Sequence, residues 1–413
     1  MTLASSRIMA EGAKKASAAA RTSQTVETVT MGTSNSWMET WHKALRWIPT
    51  SKKDIIDSEQ RLLSTIKTPY VQEQVNIGSG PPGSKVRWFR SKSDKPRFIN
   101  TVTFGKASTD ATTLVMVHGY GAAQGLFFRN FDALASHFRV IAMDQLGWGA
   151  SSRPDFTCRS TEETEAWFVD SFEQWRKAKN LTNFILLGHS FGGYVAARYA
   201  LKYPEHVQHL ILVGPAGFSA ESDRIMEFRS TWKGSLANFI WESNVTPQSI
   251  IRSIGPWGPN LVRKYTGARF GTHASGKMLD EHESTLLSDY LYHTLAARAS
   301  GELCLKYIFS LGALARSPLL TRAPEWKVPT TFIYGVDDWM DYHGALEASK
   351  HMNVPSEIFR VCQAGHFVFL DNPPAFHLAV LHACRKFLTG KFNDGLEEFV
   401  GDVLQEFPRQ REP

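Results

Sequence analysis

The stretch "NFILLGHSFGGYVAARYALKYP", residues 183–204, constrains the fold more than any other part of the chain. An apolar run breaks at Gly188, presents one serine, and resumes as a helical pattern after two glycines. A short apolar run without alternation fits a strand buried on both faces, and "YVAARYALKYP" fits a helix after it. G-x-S-x-G between a strand and a helix is the context of a nucleophile elbow. In so tight a turn, side chains at Gly188 and Gly192 would meet neighbouring backbone, so glycine is the natural occupant. Ser190 is then forced outward, with His189 beside it.

Around this turn, β-like runs alternate with helical stretches: "KVRWF", "NTVTF", "TTLVMVHG", "FRVIAMD", "NFILLGHS", "HLILVGP", "TTFIYG" and "SEIFRVC". The pattern predicts an α/β fold on a mostly parallel, eight-stranded sheet flanked by helices. Between "LVGPAGFS" and "TTFIYG" the rhythm stops for about a hundred residues, too many for a loop. That segment keeps helical spacing and carries Phe228, Trp232, Phe239, Trp241, Trp257, Tyr265 and Phe270. It is expected to be an inserted helical cap. The expected organisation is a disordered or targeting tail over 1–35 and a Trp-rich segment over 36–60. The core is split into 61–219 and 327–392 by the cap at 220–326, and a C-terminal tail follows at 393–413.

A serine hydroxyl attacks a carbonyl only when a base takes its proton. On this kind of scaffold the partners follow in the order Ser, acid, His. "CQAGHFVFLDNP" supplies His366 after the last run, on a loop opened by Gly365. "FIYGVDDWMDYHG" supplies the acid: Asp338 is the first choice, three residues past Gly335, and Asp341 the second. His118 precedes the nucleophile and is better explained otherwise. The turn in "VMVHGYGA" can aim a backbone N–H at a developing oxyanion. Tyr120 is assigned as that donor, with Gly121 the alternative, and the N–H of Phe191 is the second. In "MDQLGWGASSRP", Asp144 and the glycines read as loop scaffolding. The resulting chemistry is an acyl-enzyme on Ser190, resolved by water or by another hydroxyl. It requires no metal and no nucleotide cofactor.

Composition narrows the partners. A net charge of +6 is mild for 413 residues, and no basic stripe or nucleic-acid motif is present. Cys158, Cys304, Cys362 and Cys384 are far apart, which suits neither a zinc site nor a disulfide framework. No apolar run reaches the roughly 18 to 20 residues of a spanning helix. The first thirty residues are rich in Ala, Ser, Lys and Arg, fitting either a disordered tail or a plastid or mitochondrial targeting segment. In "SWMETWHKALRWIPTSKK", helical from Ser36 onward, Trp37, Trp41, Ala44, Leu45 and Ile48 share one face and Trp47 flanks it. Tryptophan favours the membrane interface, where a short helix can lie in the plane. Trp37, Trp41 and Trp47 are therefore candidate membrane contacts; packing on the main domain is the alternative.

"MVHGYGA", "GHSFGGY", "IYG" with "DWM", and "GHFVFLD" together resemble the α/β-hydrolase-domain 4/5 subfamily, and the plant members described as lysophosphatidic acid acyltransferases with phospholipase activity look most similar. The likeness runs from about Trp37 to Leu388. It implies an α/β-hydrolase fold, lipid substrates, and peripheral attachment to membranes or lipid droplets from the cytoplasm. It also implies acyl-CoA as a candidate co-substrate. The family's acyltransferase signature H-x-x-x-x-D falls here on His366 and Asp371. Asp371 precedes a proline-opened helix, so an N-terminal cap competes with a catalytic role. Within the cap, Arg229, Lys233, Arg252, Arg263, Lys264 and Arg269 are candidates to meet a phosphate. The competing readings are a lipid-droplet co-activator and a general soluble carboxylesterase.

Overall fold

The computed structural model describes residues 49–79, 95–105, 111–219, 223–273, 276–277, 279–388 and 403–406. All of them lie in one unit, Trp47–Pro413. The Trp-rich helix expected from Ser36, with Trp37, Trp41 and Trp47, and the run "KVRWF" fall outside the described residues. Residues 49–51 are not helical. A helix, α1 (Lys52–Leu63), starts behind Ser51, where Ser51 and Asp54 form a capping box. The boundary expected at residue 60 therefore falls inside α1.

The sheet strands are β1 (Tyr70–Ser79), β2 (Pro96–Phe104), β3 (Thr113–Val117), β4 (Arg139–Met143), β5 (Phe184–His189), β6 (Val207–Val213), β7 (Thr330–Gly335), β8 (Ser356–Val361) and β9 (Val403–Glu406). Their spatial order is β1-β2-β4-β3-β5-β6-β7-β8-β9. The five pairings from β4 through β8 are parallel, while β1, β2 and β9 join antiparallel at the edges. The mostly parallel sheet of eight strands is thus present, and β9 extends it by one within the segment expected to be a tail. β1 was not foreseen from the sequence. "YVQEQVNIGS" carries three amides and one acid, and as an edge strand it is only half buried.

The central strands are buried on both faces. In β3, Leu114 and Met116 point into one apolar layer and Val115 and Val117 into the other. Helix α2 (Thr161–Ala178) covers the second layer with Trp167, Phe168, Phe172 and Trp175. Its N-cap Ser160 accepts from the Glu163 N–H, with acids in the first turn and bases in the last. Helix α3 (Phe191–Lys202) follows the elbow and packs in the same layer. Between β6 and β7 come α4 (Trp232–Glu242), α5 (Pro247–Ser253), α6 (Gly258–Phe270) and α7 (Glu281–Ala296), with two short hairpins. Helix α8 (Pro373–Ala383) follows the β8 loop. The parallel strands deliver their carboxyl ends to one edge of the sheet, where the loops after β3, β5, β7 and β8 meet.

Candidate active site

Ser190 holds φ 55° and ψ −118° at the junction of β5 and α3. Few non-glycine residues adopt this geometry, and such strain collects at functional sites. The surrounding glycines make room for it. A Cβ on Gly188 would lie 2.4 Å from the Gly192 carbonyl oxygen, and one on Gly192 would lie 2.3 Å from that of His118. The Ser190 N–H donates to the Val213 carbonyl, 2.9 Å away, which ties the turn to β6.

The Ser190 hydroxyl lies 2.9 Å from His366 Nε2, and His366 Nδ1 lies 2.9 Å from Asp338 Oδ1. The same carboxylate oxygen accepts from the Met340 N–H. The Asp338 carboxylate is almost wholly buried, so its orientation is fixed. Gly214, at φ +47°, leaves it space: a Cβ there would sit 2.6 Å from Asp338 Oδ2. Asp341 instead faces solvent and bonds His343, away from the imidazole. His366 is held from behind as well, since buried His189 donates from Nε2 to its carbonyl oxygen at 2.9 Å. Burial drives the His189 pKa well down, which keeps that ring neutral. The exposed Trp339 ring lies 4.9 Å from the His366 ring at the mouth of the site.

The turn His118–Gly121 passes beside the serine: a Cβ on Gly119 would be 3.1 Å from Ser190 Cβ. His118 braces this turn. Its Nδ1 bonds the Gly119 carbonyl and its Nε2 accepts from the Gln145 N–H, while burial lowers its pKa. The Tyr120 side chain reaches into the cap, where its hydroxyl meets Gln248 Oε1 and the Glu302 carbonyl. Phe191 opens α3, and the first N–H groups of a helix have no intrahelical acceptor. Gly119 thus lies beside Ser190 with Tyr120 next in the chain, Phe191 follows the serine directly, and Gly121 sits under Gln248.

Asp371 caps no helix. Asn372 takes that place, its side chain accepting from the Ala375 N–H. The nearly buried Asp371 carboxylate accepts instead from the Gly365 N–H at 2.8 Å and, at both oxygens, from the Arg269 guanidinium at 2.9 and 3.1 Å. Arg269 is the penultimate residue of α6 and also lies over the Phe270 and Phe367 rings. Sequence reasoning placed Arg269 only among cap cations; its partner is 102 residues away, so no local spacing could show the pair.

A second network was missed altogether. Glu59 of α1 is fully buried beside Asp144, and both accept from the Asn100 amide. Gln124 donates its amide to Glu59 and its backbone N–H to Asp144, and Tyr290 of α7 donates to Glu59 while accepting from the Gly125 N–H. Burial, then the Asp144 charge, pushes the Glu59 pKa up to about 8. The detectable signal was an acid in the buried stripe Ile55, Glu59, Leu62. Asp144 scaffolds its own loop through the Ala150 N–H. Among the described residues there is no cluster of three or more metal-ligating side chains, and no helix is long and apolar enough to cross a membrane.

A family model for the alpha/beta hydrolase fold matches residues 112–373. The chain is 72% identical over 364 residues to a probable 1-acylglycerol-3-phosphate O-acyltransferase of Oryza sativa subsp. japonica, covering 87% of this chain and 88% of that protein. It is 35% identical over 342 residues to the (lyso)-N-acylphosphatidylethanolamine lipase of Mus musculus, covering 81% and 92%. To the Homo sapiens 1-acylglycerol-3-phosphate O-acyltransferase ABHD5 it is 32% identical over 340 residues, covering 81% and 90%. The chain belongs to the α/β-hydrolase family, within the branch formed by these plant acyltransferases and the α/β-hydrolase-domain 4/5 proteins.

Proposed function

We propose that the protein is a serine-nucleophile lipid acyl hydrolase and acyltransferase acting on glycerophospholipids and lysophosphatidic acid. The observation that carries this reading is the chain of two 2.9 Å contacts from Ser190 through His366 to Asp338. As Ser190 Oγ attacks an ester carbonyl, its proton passes to His366 Nε2, and Asp338 holds Nδ1–H in the productive tautomer. The Tyr120 and Phe191 N–H groups receive the oxyanion. Collapse expels the alcohol, which takes the proton from His366, and leaves the acyl group on Ser190. Water then yields a fatty acid; the free hydroxyl of lysophosphatidic acid yields phosphatidic acid. Acyl-CoA serves as donor by the same route, its sulfur taking the proton from His366 and leaving as the thiol in place of the alcohol. No metal or cofactor enters any step. The names of the rice and mouse relatives support both acceptors.

In this reading the aspartate of the H-x-x-x-x-D signature is a positioning residue: Asp371 joins the base loop, through Gly365, to the cap, through Arg269. The enzyme works from the cytoplasm, peripherally on membranes or lipid droplets, and Trp37, Trp41 and Trp47 contribute to attachment. The test uses the purified protein and its Ser190→Ala variant on vesicles of labelled phospholipid, with and without lysophosphatidic acid and acyl-CoA. Loss of both products in the variant is expected. Acyl transfer that survives in Ser190→Ala would overturn the serine mechanism and return His366 with Asp371 as a catalytic pair.

A further inference from the structure

Cap helices α4 and α6 each turn an apolar stripe outward. In α4, Trp232, Leu236, Phe239 and Ile240 follow the i, i+4, i+7, i+8 spacing of a face that normally packs on a core. Yet Trp232 is 72% exposed and Phe239 69% exposed. Trp257, just ahead of α6, is 65% exposed, and Leu261 and Tyr265 continue its stripe at i+4 and i+8. Among the described residues, ten of the twelve exposed large hydrophobic ones run from Phe228 to Tyr265. Monomeric soluble proteins rarely leave so much apolar surface unpaired.

The charge around these stripes has one sign. From Ser243 through Leu279 the sequence holds no acidic residue, while Arg252, Arg263, Lys264, Arg269 and Lys277 stand among its apolar ones. Arg252 pairs with Glu302 and Arg269 with Asp371 inside the protein. Arg263 and Lys264 remain on the exposed face. There they line an open groove with Ile254, Trp257, Asn260 and Leu261, and the Arg263 guanidinium touches the Asn260 amide. On α4, Lys233 lies over the Trp232 ring. Tryptophans beside cations, on helices with an unpaired apolar face, suit a helix lying in the interface of an anionic bilayer. A second copy of the chain fits worse, because a two-fold contact through this groove would bring Arg263 and Lys264 towards their own copies.

We infer that the cap face carrying Trp257, Leu261, Arg263 and Lys264 docks on an anionic phospholipid surface, its aromatic residues entering the interface and its cations meeting lipid phosphates. This rests on the reading that the substrate is a membrane lipid, and it adds a second attachment site, separate from the tryptophans of the N-terminal segment. Ester substrate would then leave the bilayer on the cap side of the molecule.

Flotation of the full chain with vesicles of phosphatidylcholine, alone or mixed with phosphatidic acid, tests this. The wild type is expected to float with the anionic vesicles and to lose that binding as salt rises. The pair Arg263→Glu and Lys264→Glu is expected to weaken it by at least about twenty-five-fold, a factor of roughly five for each cation lost. Trp257→Ser with Leu261→Ser is expected to weaken binding to both vesicle types. Melting temperatures near the wild type certify that the variants fold. Should the reversal pair melt low, the milder Arg263→Gln and Lys264→Gln pair replaces it. As an independent readout, an environment-sensitive dye on Leu261→Cys is expected to shift to the blue on anionic vesicles. If the wild type binds while both cap variants bind as tightly and the dye stays unchanged, the cap face is not the docking surface, although the lipid reading stands. If the wild type binds neither vesicle yet cleaves dispersed lysolipid, surface docking itself is wrong.

Discussion

Ser190 is a residue whose backbone is held in an uncommon conformation by its neighbours. Gly188, Gly192 and Gly214 supply space in which a side chain would collide with backbone or with the Asp338 carboxylate. The cost of such a conformation, on the order of 1–3 kcal/mol, is offset by the surrounding sheet. At this scale the two candidate acids differ in what they touch: Asp338 meets the imidazole and Asp341 does not. Asp338→Asn is expected to lower kcat by roughly 10⁴-fold, since the imidazole would favour the wrong tautomer. Asp341→Asn is expected to leave kcat within about two-fold, because exposed Asp341 bonds the backbone and ring of His343, away from the imidazole of His366. Steady-state kinetics on a soluble ester check both; equal losses would contradict the geometry.

At the scale of elements, two networks tie the cap to the core. The first runs from α6 through Arg269 and Asp371 to Gly365 and so to the base loop. Removing either partner leaves a charge in a largely buried place. Arg269→Gln and Asp371→Asn are each expected to lose up to about 10²-fold in kcat, as a base displaced by about an ångström would. The double variant should be no worse than the worse single, which a double-mutant cycle measures. An Asp371→Asn loss that persists undiminished without Arg269, and adds to it, would argue for direct chemistry at Asp371. The second runs from α1 through Glu59 to Gln124, Gly125 and Tyr290. Because Glu59 is raised from 4.5 to about 8 in the folded protein, the folded state binds more protons than the unfolded state between those values. Its contribution to stability is therefore complete below pH 4.5 and is lost as pH rises through about 8. Unfolding titrations across this window should show a decline in the wild type that is flatter in Glu59→Gln; identical slopes would place the proton elsewhere.

For the whole molecule, what the sequence made legible and what it hid divide by range. The strand-turn-helix at Ser190, the loop carrying His366 and the acid after β7 are local patterns, each set by a few adjacent residues, and the fold brings them to one edge of the sheet. Strands buried on both faces announce themselves as unbroken apolar runs. Edge strand β1 did not, because half of it faces water. The Arg269–Asp371 pair and the Glu59 network were hidden for a different reason: their partners come from separate elements and only the closed fold sets them side by side. The apolar stripes of α4 and α6 are legible as helical spacing, but which side they turn to is not, and here they face outward. The central claim remains covalent chemistry at Ser190. It is tested most directly by rapid acid quench of a single turnover with a labelled acyl ester, followed by mass spectrometry of the peptide spanning residues 183–204. An acyl adduct on Ser190 that forms and decays at the rate of turnover, and is missing in Ser190→Ala, is the expected result. Full turnover with no adduct at any time, or with Ser190→Ala as fast as the wild type, would contradict the account.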